Sequence, residues 1–195
     1  MASQPRTFLT PEQYLAIERA AEYKSEYYGG EMFAMSGARE SHNLITVNLI
    51  TELRRQLRQR ACRLYTSDMR VRVSASGLYT YPDAAALCGE PQFLDDTRDT
   101  LLNPNLIAQV LSPSTEAYDR GRKFEHYRTI ESLREYLLIS TERVSAELFV
   151  RQADGRWLLS AATNMEDVLD LQSVGCRVAL VDLYEDVDLS AAPRL

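Results

Sequence analysis

The sequence predicts a single α/β domain, a central mixed β-sheet flanked by helices. Two observations support this. Helical periodicities alternate along the chain with short apolar runs suited to strands. The 195 residues, 45% hydrophobic and 26% charged, also suffice for one domain with a sizeable core. No internal repeat or low-complexity segment is present, so we expect one domain over residues 1–195.

The N-terminal part predicts a helix followed by a β-hairpin. In TPEQYLAIERA, Thr10 is the expected N-cap, Pro11 the first helical residue, and Gln13 completes a capping box. The next run, KSEYYGGEMFAMSG, contains two short strand-like segments around Gly29 and Gly30, which indicate a hairpin turn.

A long amphipathic helix is expected over residues 41–60. Its apolar side chains recur every four residues and form one stripe: Ile45, Leu49, Leu53 and Leu57.

The rest of the chain predicts a sheet with one further helix. RLYTSDMRVRV alternates as a strand does, and the apolar runs YPDAAALC and NLIAQVLS suit the middle of a sheet. Ser112 or Ser114 then caps a helix over TEAYDRGRKFEHYRTI. EYLLIS, AELFVRQ and WLLSAAT follow as strands, and the last two form a C-terminal hairpin.

The charge pattern leaves two interpretations of an arginine-rich segment. A net charge of −6 has the wrong sign for binding nucleic acid through phosphate neutralisation alone. Arg54, Arg55 and Arg58 nevertheless cluster near the end of the long helix. They are either its solvated end, which is the commoner role of such runs, or a nucleic-acid-binding patch.

Cysteine usage and hydropathy bear on the compartment. Cys62, Cys88 and Cys176 form an odd set without a CxxC pair, so we expect free thiols rather than a disulfide framework or a structural zinc site. No apolar run approaches the ~20 residues that span a bilayer, and the N-terminus carries charges where a signal peptide would be apolar. We expect a cytoplasmic protein without membrane association.

Residues 81–127 carry the candidate chemistry, since strand, strand and helix follow one another there. Asp83 opens the first strand, Gln109 interrupts the second, and Lys123 lies on the helix with Asp119 and Tyr127 at i, i+4 spacing. Metal-dependent hydrolysis of a phosphodiester needs two or three converging oxygen ligands and a cation. Neighbouring strands, ~4.8 Å apart, could direct Asp83 and Gln109 to one point.

Each residue also has a structural interpretation. Asp83 could be a turn aspartate, Lys123 an ordinary ion-pair partner of Asp119, and Tyr127 a packed aromatic. Gln109 is harder to explain in this way, because a buried amide without a partner costs about 1–3 kcal/mol.

Together, KSEYYGGEMFAMSGARESHN, YPDAAALCGEP, VLSPSTEAYDRGRKFEHY and ELFVRQADGRW resemble the Uma-two family of bacterial, cyanobacteria-rich restriction-endonuclease-domain proteins. The resemblance covers about residues 9–184. It implies a restriction-endonuclease-like fold of the PD-(D/E)XK nuclease type and a metal-dependent endonuclease, a hydrolase that acts on DNA with Mg²⁺ or Mn²⁺. Nucleases of this architecture commonly act as dimers, so we expect a homo-oligomer, with a homodimer favoured.

The resemblance assigns the central residues of the site. The family's strand aspartate falls on Asp83, the glutamate of its EVLSPST pattern on Gln109, and its helical lysine on Lys123. Asp83 and Gln109 would be metal ligands. The lysine is displaced, because the usual arrangement would place it two residues after the glutamate, at Leu111.

Four residues are accessory candidates. Glu31 and His42 match the family's hairpin glutamate and the histidine that starts its long helix; Asp68 and Tyr127 are further possibilities. Alternatively, Glu31 is an exposed turn carboxylate and His42 is satisfied by a neighbour.

Gln109 departs from the family pattern. An amide keeps one ligand oxygen but removes a full charge from a site for a hard cation. We therefore expect the fold to be retained and Mg²⁺- or Mn²⁺-dependent hydrolysis to be weak or lost. The alternative is a catalytically inactive nuclease-fold protein that binds nucleic acid or a protein partner.

Overall fold

Three β-sheets with helices packed against them make up the computed structural model, which describes residues 8–190. The helices are α1 (Pro11–Ala20), α2 (Glu40–Leu57), α3 (Glu116–Tyr118), α4 (Phe124–Tyr127) and α5 (Leu180–Leu183), and a π-helical turn (Asp119–Lys123) joins α3 to α4. The first seven strands are β1 (Ser25–Tyr28), β2 (Glu31–Ala34), β3 (Cys62–Thr66), β4 (Arg70–Val73), β5 (Leu78–Thr80), β6 (Ala84–Cys88) and β7 (Thr100–Leu101). The remaining strands are β8 (Leu106–Leu111), β9 (Glu135–Ser140), β10 (Ala146–Arg151), β11 (Trp157–Ala162), β12 (Val168–Leu171) and β13 (Cys176–Ala179).

The largest sheet has six strands in the order β11-β10-β9-β8-β6-β3. Its β8–β9 pair is parallel and its other pairs are antiparallel, so the sheet is mixed. A second sheet has the order β2-β1-β5-β4-β7, and β12 pairs with β13. The predicted α/β fold with a central mixed sheet and flanking helices is confirmed.

The N-terminal helix and hairpin form as predicted. The Thr10 hydroxyl accepts a hydrogen bond from the Gln13 N–H, and the Gln13 side chain accepts one from the Thr10 N–H, which is the capping box. Gly29 and Gly30 have φ angles of 60° and 89°, the left-handed conformation that a tight hairpin turn requires.

The predicted stripe of the long helix forms its buried face. Ile45, Leu49 and Leu53 are completely buried and Leu57 almost so, and they pack in one core with β6, β8 and β9. Apolar burial at ~25 cal/mol per Å² therefore holds α2 against the large sheet.

Two expectations about the middle of the chain are wrong. RLYTSDMRVRV is not one strand: a turn closed by the hydrogen bond from the Met69 N–H to the Thr66 carbonyl divides it into β3 and β4, which belong to different sheets. Cys62 and Cys88 are not free thiols either. They lie opposite each other on β3 and β6 and form a disulfide, because antiparallel pairing brings together two cysteines 26 residues apart.

The third cysteine and the C-terminal segment complete the fold. Cys176 is a buried free thiol, as expected. Beyond the predicted β10–β11 hairpin, β12, β13 and α5 add to the core that contains α2. Among residues 8–190, no helix is both long and apolar enough to cross a membrane.

Candidate active site

A cleft of about 940 Å³ opens where the N-terminal turn of α2 and the β1–β2 hairpin face the segment that follows β8. Three central residues of the sequence analysis line it, namely Asp83, Gln109 and Lys123. The strand–strand–helix order brings them together because β6 and β8 are neighbours in the large sheet, and the helical segment follows β8 directly.

Asp83 is fixed at the mouth of β6. Its Oδ2 accepts a hydrogen bond of 2.7 Å from the Val110 N–H of the neighbouring strand, and its Oδ1 lies 3.3 Å from Nε2 of His42. His42 reaches this position because α2 begins only two residues before it. The carboxylate therefore joins β6, β8 and the start of α2.

The contact with Asp83 sets the charge preference of His42. Burial alone would lower the pKa of the imidazole, but the hydrogen bond and the negative charge of Asp83 outweigh burial and raise the pKa above its ordinary value. Nδ1 of His42 is buried and has no hydrogen-bond partner within residues 8–190. The contact with Asp83 therefore favours the protonated form of His42.

Gln109 has the partner that a buried amide needs. It is 4% exposed, and its Nε2 donates a hydrogen bond of 3.2 Å to the hydroxyl oxygen of Tyr127. That oxygen also lies 3.3 Å from Oγ1 of Thr80. Burial raises the pKa of Tyr127, which keeps the phenol neutral.

Lys123 is buried, with 6% of its surface exposed, and two carboxylates hold its ammonium group. Nζ lies 2.8 Å from Oε1 of Glu26 and 3.5 Å from Oδ1 of Asp119. Glu26 also accepts a hydrogen bond from the Thr80 hydroxyl. The hairpin, β5 and the helical segment are thereby joined at one charged centre.

Asp119 and Lys123 begin and end the π-helical turn, within which lies Gly121. Such turns insert an extra residue into a helix and occur frequently at functional sites. The turn lets both side chains point into the cleft, and the carbonyl of Asp119 accepts a hydrogen bond from the Tyr136 hydroxyl of β9.

The charges in this network have opposite tendencies. Burial disfavours the ammonium of Lys123, but the carboxylates of Glu26 and Asp119 outweigh burial and raise the pKa of Lys123. Burial also raises the pKa of Asp119, and the charge of Lys123 partly offsets this effect. The lysine therefore remains charged, and its charge is largely neutralised by its partners.

As they stand, the residues of the cleft do not fit a divalent cation. Within residues 8–190, no group of three or more His, Cys, Asp or Glu side chains is arranged to hold a metal ion. Asp83 is engaged by His42 and a backbone N–H, Glu26 is engaged by Lys123, and Gln109 supplies a neutral oxygen. A hard cation requires several free anionic oxygens at one point.

The cleft as a whole is acidic. The basic side chains that line it are Lys24, Arg39 and Lys123, together with His42. Acidic side chains outnumber them: Glu26, Glu40, Asp83, Asp119, Glu142, Asp186 and Asp188. A polyanion would enter against this field unless cations accompanied it.

The accessory candidates occupy different places. Tyr127 lies under the cleft as the partner of Gln109. Asp68 is 86% exposed and pairs at 2.9 Å with Lys24 at the cleft wall. Glu31 lies opposite Tyr28 in the register of β1 and β2, beside the hairpin turn. Direct roles for Asp68 and Glu31 stay predictions.

Arg54, Arg55 and Arg58 lie at the far end of α2. Twelve to sixteen residues separate them from His42, which at ~1.5 Å per residue places them roughly 20 Å from the cleft. All three are exposed, and Arg55 pairs with Glu52 at 2.6 Å. A role for them in DNA binding stays a prediction about a surface outside the cleft.

Sequence reasoning missed Glu26 and Thr80. Glu26 is the hairpin carboxylate that contacts Lys123, although Glu31 was the hairpin candidate. The alternation of β1 contained a signal, since Glu26 is the polar residue between the buried Ser25 and Tyr27. Nothing in the local sequence around Thr80 indicated its role, because its partners come from other elements.

Comparisons with known proteins are consistent with this architecture. The family model described as "Uma2: Putative restriction endonuclease" matches residues 11–180. The chain belongs to the Uma2 family. The uncharacterized proteins sll1609 and slr1290 of Synechocystis sp. are similar to it: sll1609 is 40% identical over 78% of this chain and 86% of its own length, and slr1290 is 36% identical over 93% and 94%.

A solved structure shares the fold. It is the crystal structure of a putative nuclease belonging to DUF820 from Anabaena variabilis, which matches with a TM-score of 0.73. The match covers 89% of this chain and 96% of the other at 15% sequence identity. The restriction-endonuclease-like family and the nuclease-like fold expected from the sequence are therefore confirmed.

Proposed function

We propose that this Uma2 protein carries the cleft of a metal-dependent endonuclease acting on DNA, and that Gln109 makes its Mg²⁺ or Mn²⁺ binding and its hydrolytic activity weak or absent. The observation that carries the proposal is the position of Gln109. It lies one strand away from Asp83 and is bonded to Tyr127, one helical turn beyond Lys123. At that position the family pattern has a carboxylate.

The remaining groups support an impaired site. Hydrolysis of a phosphodiester needs an activated water and positive charge near the developing oxyanion. Asp83 could accept a proton from water, but His42 and the Val110 N–H already engage its oxygens. Lys123 could stabilise the oxyanion, but its ammonium group is already paired with Glu26 and Asp119.

Restoring the carboxylate tests the proposal. In the Gln109→Glu variant, cleavage of supercoiled plasmid DNA with Mg²⁺ or Mn²⁺ should increase or appear for the first time. Adding Asp83→Ala to this variant should remove the gain, because the second anionic ligand is then lost.

Gln92→Glu is the matched control. It makes the same chemical change at an exposed position in the loop after β6, so it should leave cleavage at the parental level. If Gln109→Glu cuts no better than Gln92→Glu, or if Asp83→Ala has no effect on it, the nuclease proposal fails.

One observation favours a second candidate function, that of a catalytically inactive binding protein. Asp83 is already engaged by His42, and Lys123 is already paired with Glu26 and Asp119, a closed arrangement better suited to stability than to reaction. The acidic cleft would favour a basic protein partner over free DNA at that surface. This second function is the favoured one if Gln109→Glu cleaves plasmid DNA no better than Gln92→Glu.

A further inference from the structure

A second depression, of about 390 Å³, lies at the turn of the β10–β11 hairpin. Its wall consists of Arg134, Arg151, Gln152, Ala153 and Gly155. Arg134 directly precedes β9, and the parallel strands β8 and β9 run from there towards the cleft. Six residues of strand at ~3.3 Å each separate the depression from the cleft by roughly 20 Å.

Two guanidinium groups meet at this depression. Nη1 of Arg134 donates a hydrogen bond of 2.8 Å to the Glu131 carbonyl, and Nη1 of Arg151 donates one of 3.2 Å to the same oxygen. The shared acceptor limits the separation of the two nitrogens to 6.0 Å. Arg151 also donates to the carbonyls of Ile130 and Arg128.

Carboxylates compensate the two positive charges only in part. Within residues 8–190, neither guanidinium group has an Asp or Glu oxygen within ion-pair distance, and Nε of Arg151 is buried without a hydrogen-bond partner. Burial and the nearby charge of Arg134 both lower the pKa of Arg151, and the nearby carboxylate of Glu131 offsets only part of this effect. On a chain with net charge −6, this is a local excess of positive charge that a bound anion would relieve.

The hydrogen-bond donors and the open rim of the depression suit a small oxyanion. Within the part of the chain that the structure describes, Arg134 uses only Nη1 for backbone carbonyls, so its Nε and Nη2 can donate in parallel to two oxygens of one tetrahedral group. Arg151, whose Nη1 and Nη2 already bond to carbonyls, adds its positive charge and the second N–H of Nη2. Gly155 leaves the rim open, since a Cβ at this position would have no heavy atom within 4 Å. The ring of Trp157 packs against Arg151, whose guanidinium carbon lies 5.0 Å from the ring centre, and holds that side chain in place.

We propose that Arg134 and Arg151 form a binding site for a phosphate oxyanion, separate from the cleft. The phosphate belongs either to the backbone of a nucleic acid or to a small phosphorylated molecule. This site does not depend on cleavage in the cleft, because it shares no lining residue with it.

Trp157 provides the readout, because it is the single tryptophan of the chain and packs on Arg151. Its fluorescence should change saturably when inorganic phosphate is added to the full-length protein at constant ionic strength set with sodium chloride. Arg134→Gln should weaken the response about tenfold or more, since it removes one charge-assisted hydrogen-bonding group and leaves the Arg151–Trp157 contact in place.

Two variants control the measurement. Arg156→Gln lies on the same hairpin, but its guanidinium group is engaged by Asp154 at 2.6 Å, so the response should remain parental. Gln109→Glu alters only the cleft and should also leave it unchanged, which separates this site from the proposed nuclease function. Arg151→Lys keeps the charge but loses the planar fork, so it should weaken phosphate binding even if Arg134→Gln folds poorly.

A response of the parent no larger than with chloride would overturn the proposal, as would parental affinity in both Arg134→Gln and Arg151→Lys. A purely structural role of the arginines would lower the melting temperature of these variants without any phosphate response in the parent. A short DNA duplex distinguishes the sources. If the fluorescence response to the duplex saturates at a lower total phosphate concentration than the response to inorganic phosphate, the natural ligand is the nucleic-acid backbone. If only inorganic phosphate gives a response, the natural ligand is a small phosphorylated molecule.

Discussion

Replacing Lys123 by methionine tests the buried charge network. The ammonium group lies 2.8 Å from Glu26 and 3.5 Å from Asp119, and the lysine is buried. Removing one member of a buried ion pair leaves uncompensated charge and costs about 3–5 kcal/mol. For a chain of this size the change corresponds to a fall in melting temperature of roughly 10 °C.

The pH dependence separates charge from packing. Burial raises the pKa of Asp119, and in Lys123→Met no ammonium group offsets that effect. A carboxyl group whose folded-state pKa exceeds its unfolded value contributes stability below the unfolded pKa and loses it as pH rises through the folded value. The free energy of unfolding that Lys123→Met loses relative to the parent should therefore be large near pH 7.5 and become smaller towards about pH 4.

Urea unfolding followed by circular dichroism measures both effects. Lys24→Met is the matched control, because the Lys24 ammonium group forms a pair of similar length, 2.9 Å, with the exposed Asp68. Exposed pairs contribute about 1 kcal/mol or less. The reasoning is refuted if Lys123→Met costs no more than Lys24→Met, or if its cost is the same at both pH values.

Two further predictions concern regions outside the cleft. Burial raises the pKa of Glu135, an effect that hydrogen bonds from Ser173 partly offset. The contribution of Glu135 to folding stability is therefore present below its unfolded pKa of about 4.3 and is lost as pH rises through its folded pKa. In thermal unfolding, the melting temperature of Glu135→Gln should change less between about pH 4 and 7 than that of the parent. Equal slopes of melting temperature against pH would contradict this prediction. If DNA binds at the end of α2, fluorescence anisotropy should show an affinity for DNA that falls steeply as the salt concentration rises. Replacing the three arginines by glutamine should reduce the slope of log affinity against log salt concentration by about one unit per lost phosphate contact. Salt-independent affinity, or an unchanged slope, would exclude this surface; the arginines are Arg54, Arg55 and Arg58.

The fold could be predicted largely because its signals are local. The capping box at Thr10, the glycines of the hairpin turn and the four-residue stripe of α2 each lie within a few turns or strands of chain. The break between β3 and β4 was missed, because alternation continues through SDMRVRV and only the pairing partners reveal the change of sheet.

The site was predictable only in part, because tertiary contacts assemble it. Asp83, Gln109 and Lys123 lie on consecutive elements, so their shared cleft followed from chain order. The contact between Glu26 and Lys123 spans nearly one hundred positions and depends on the packing of the hairpin against the helical segment. The disulfide between Cys62 and Cys88 was missed for the same reason, since it requires the register of β3 on β6.

Calorimetric titration of Mn²⁺ into the parent and into Gln109→Glu tests the central claim most directly, namely that the amide at position 109 is what weakens metal binding. The restored carboxylate adds a second anionic donor near Asp83, so the variant should bind Mn²⁺ at least about tenfold more tightly. It should also lose stability without metal, through repulsion between the carboxylates, and regain it with metal. Equal affinities in parent and variant, with no recovery of stability on metal addition, would contradict the account.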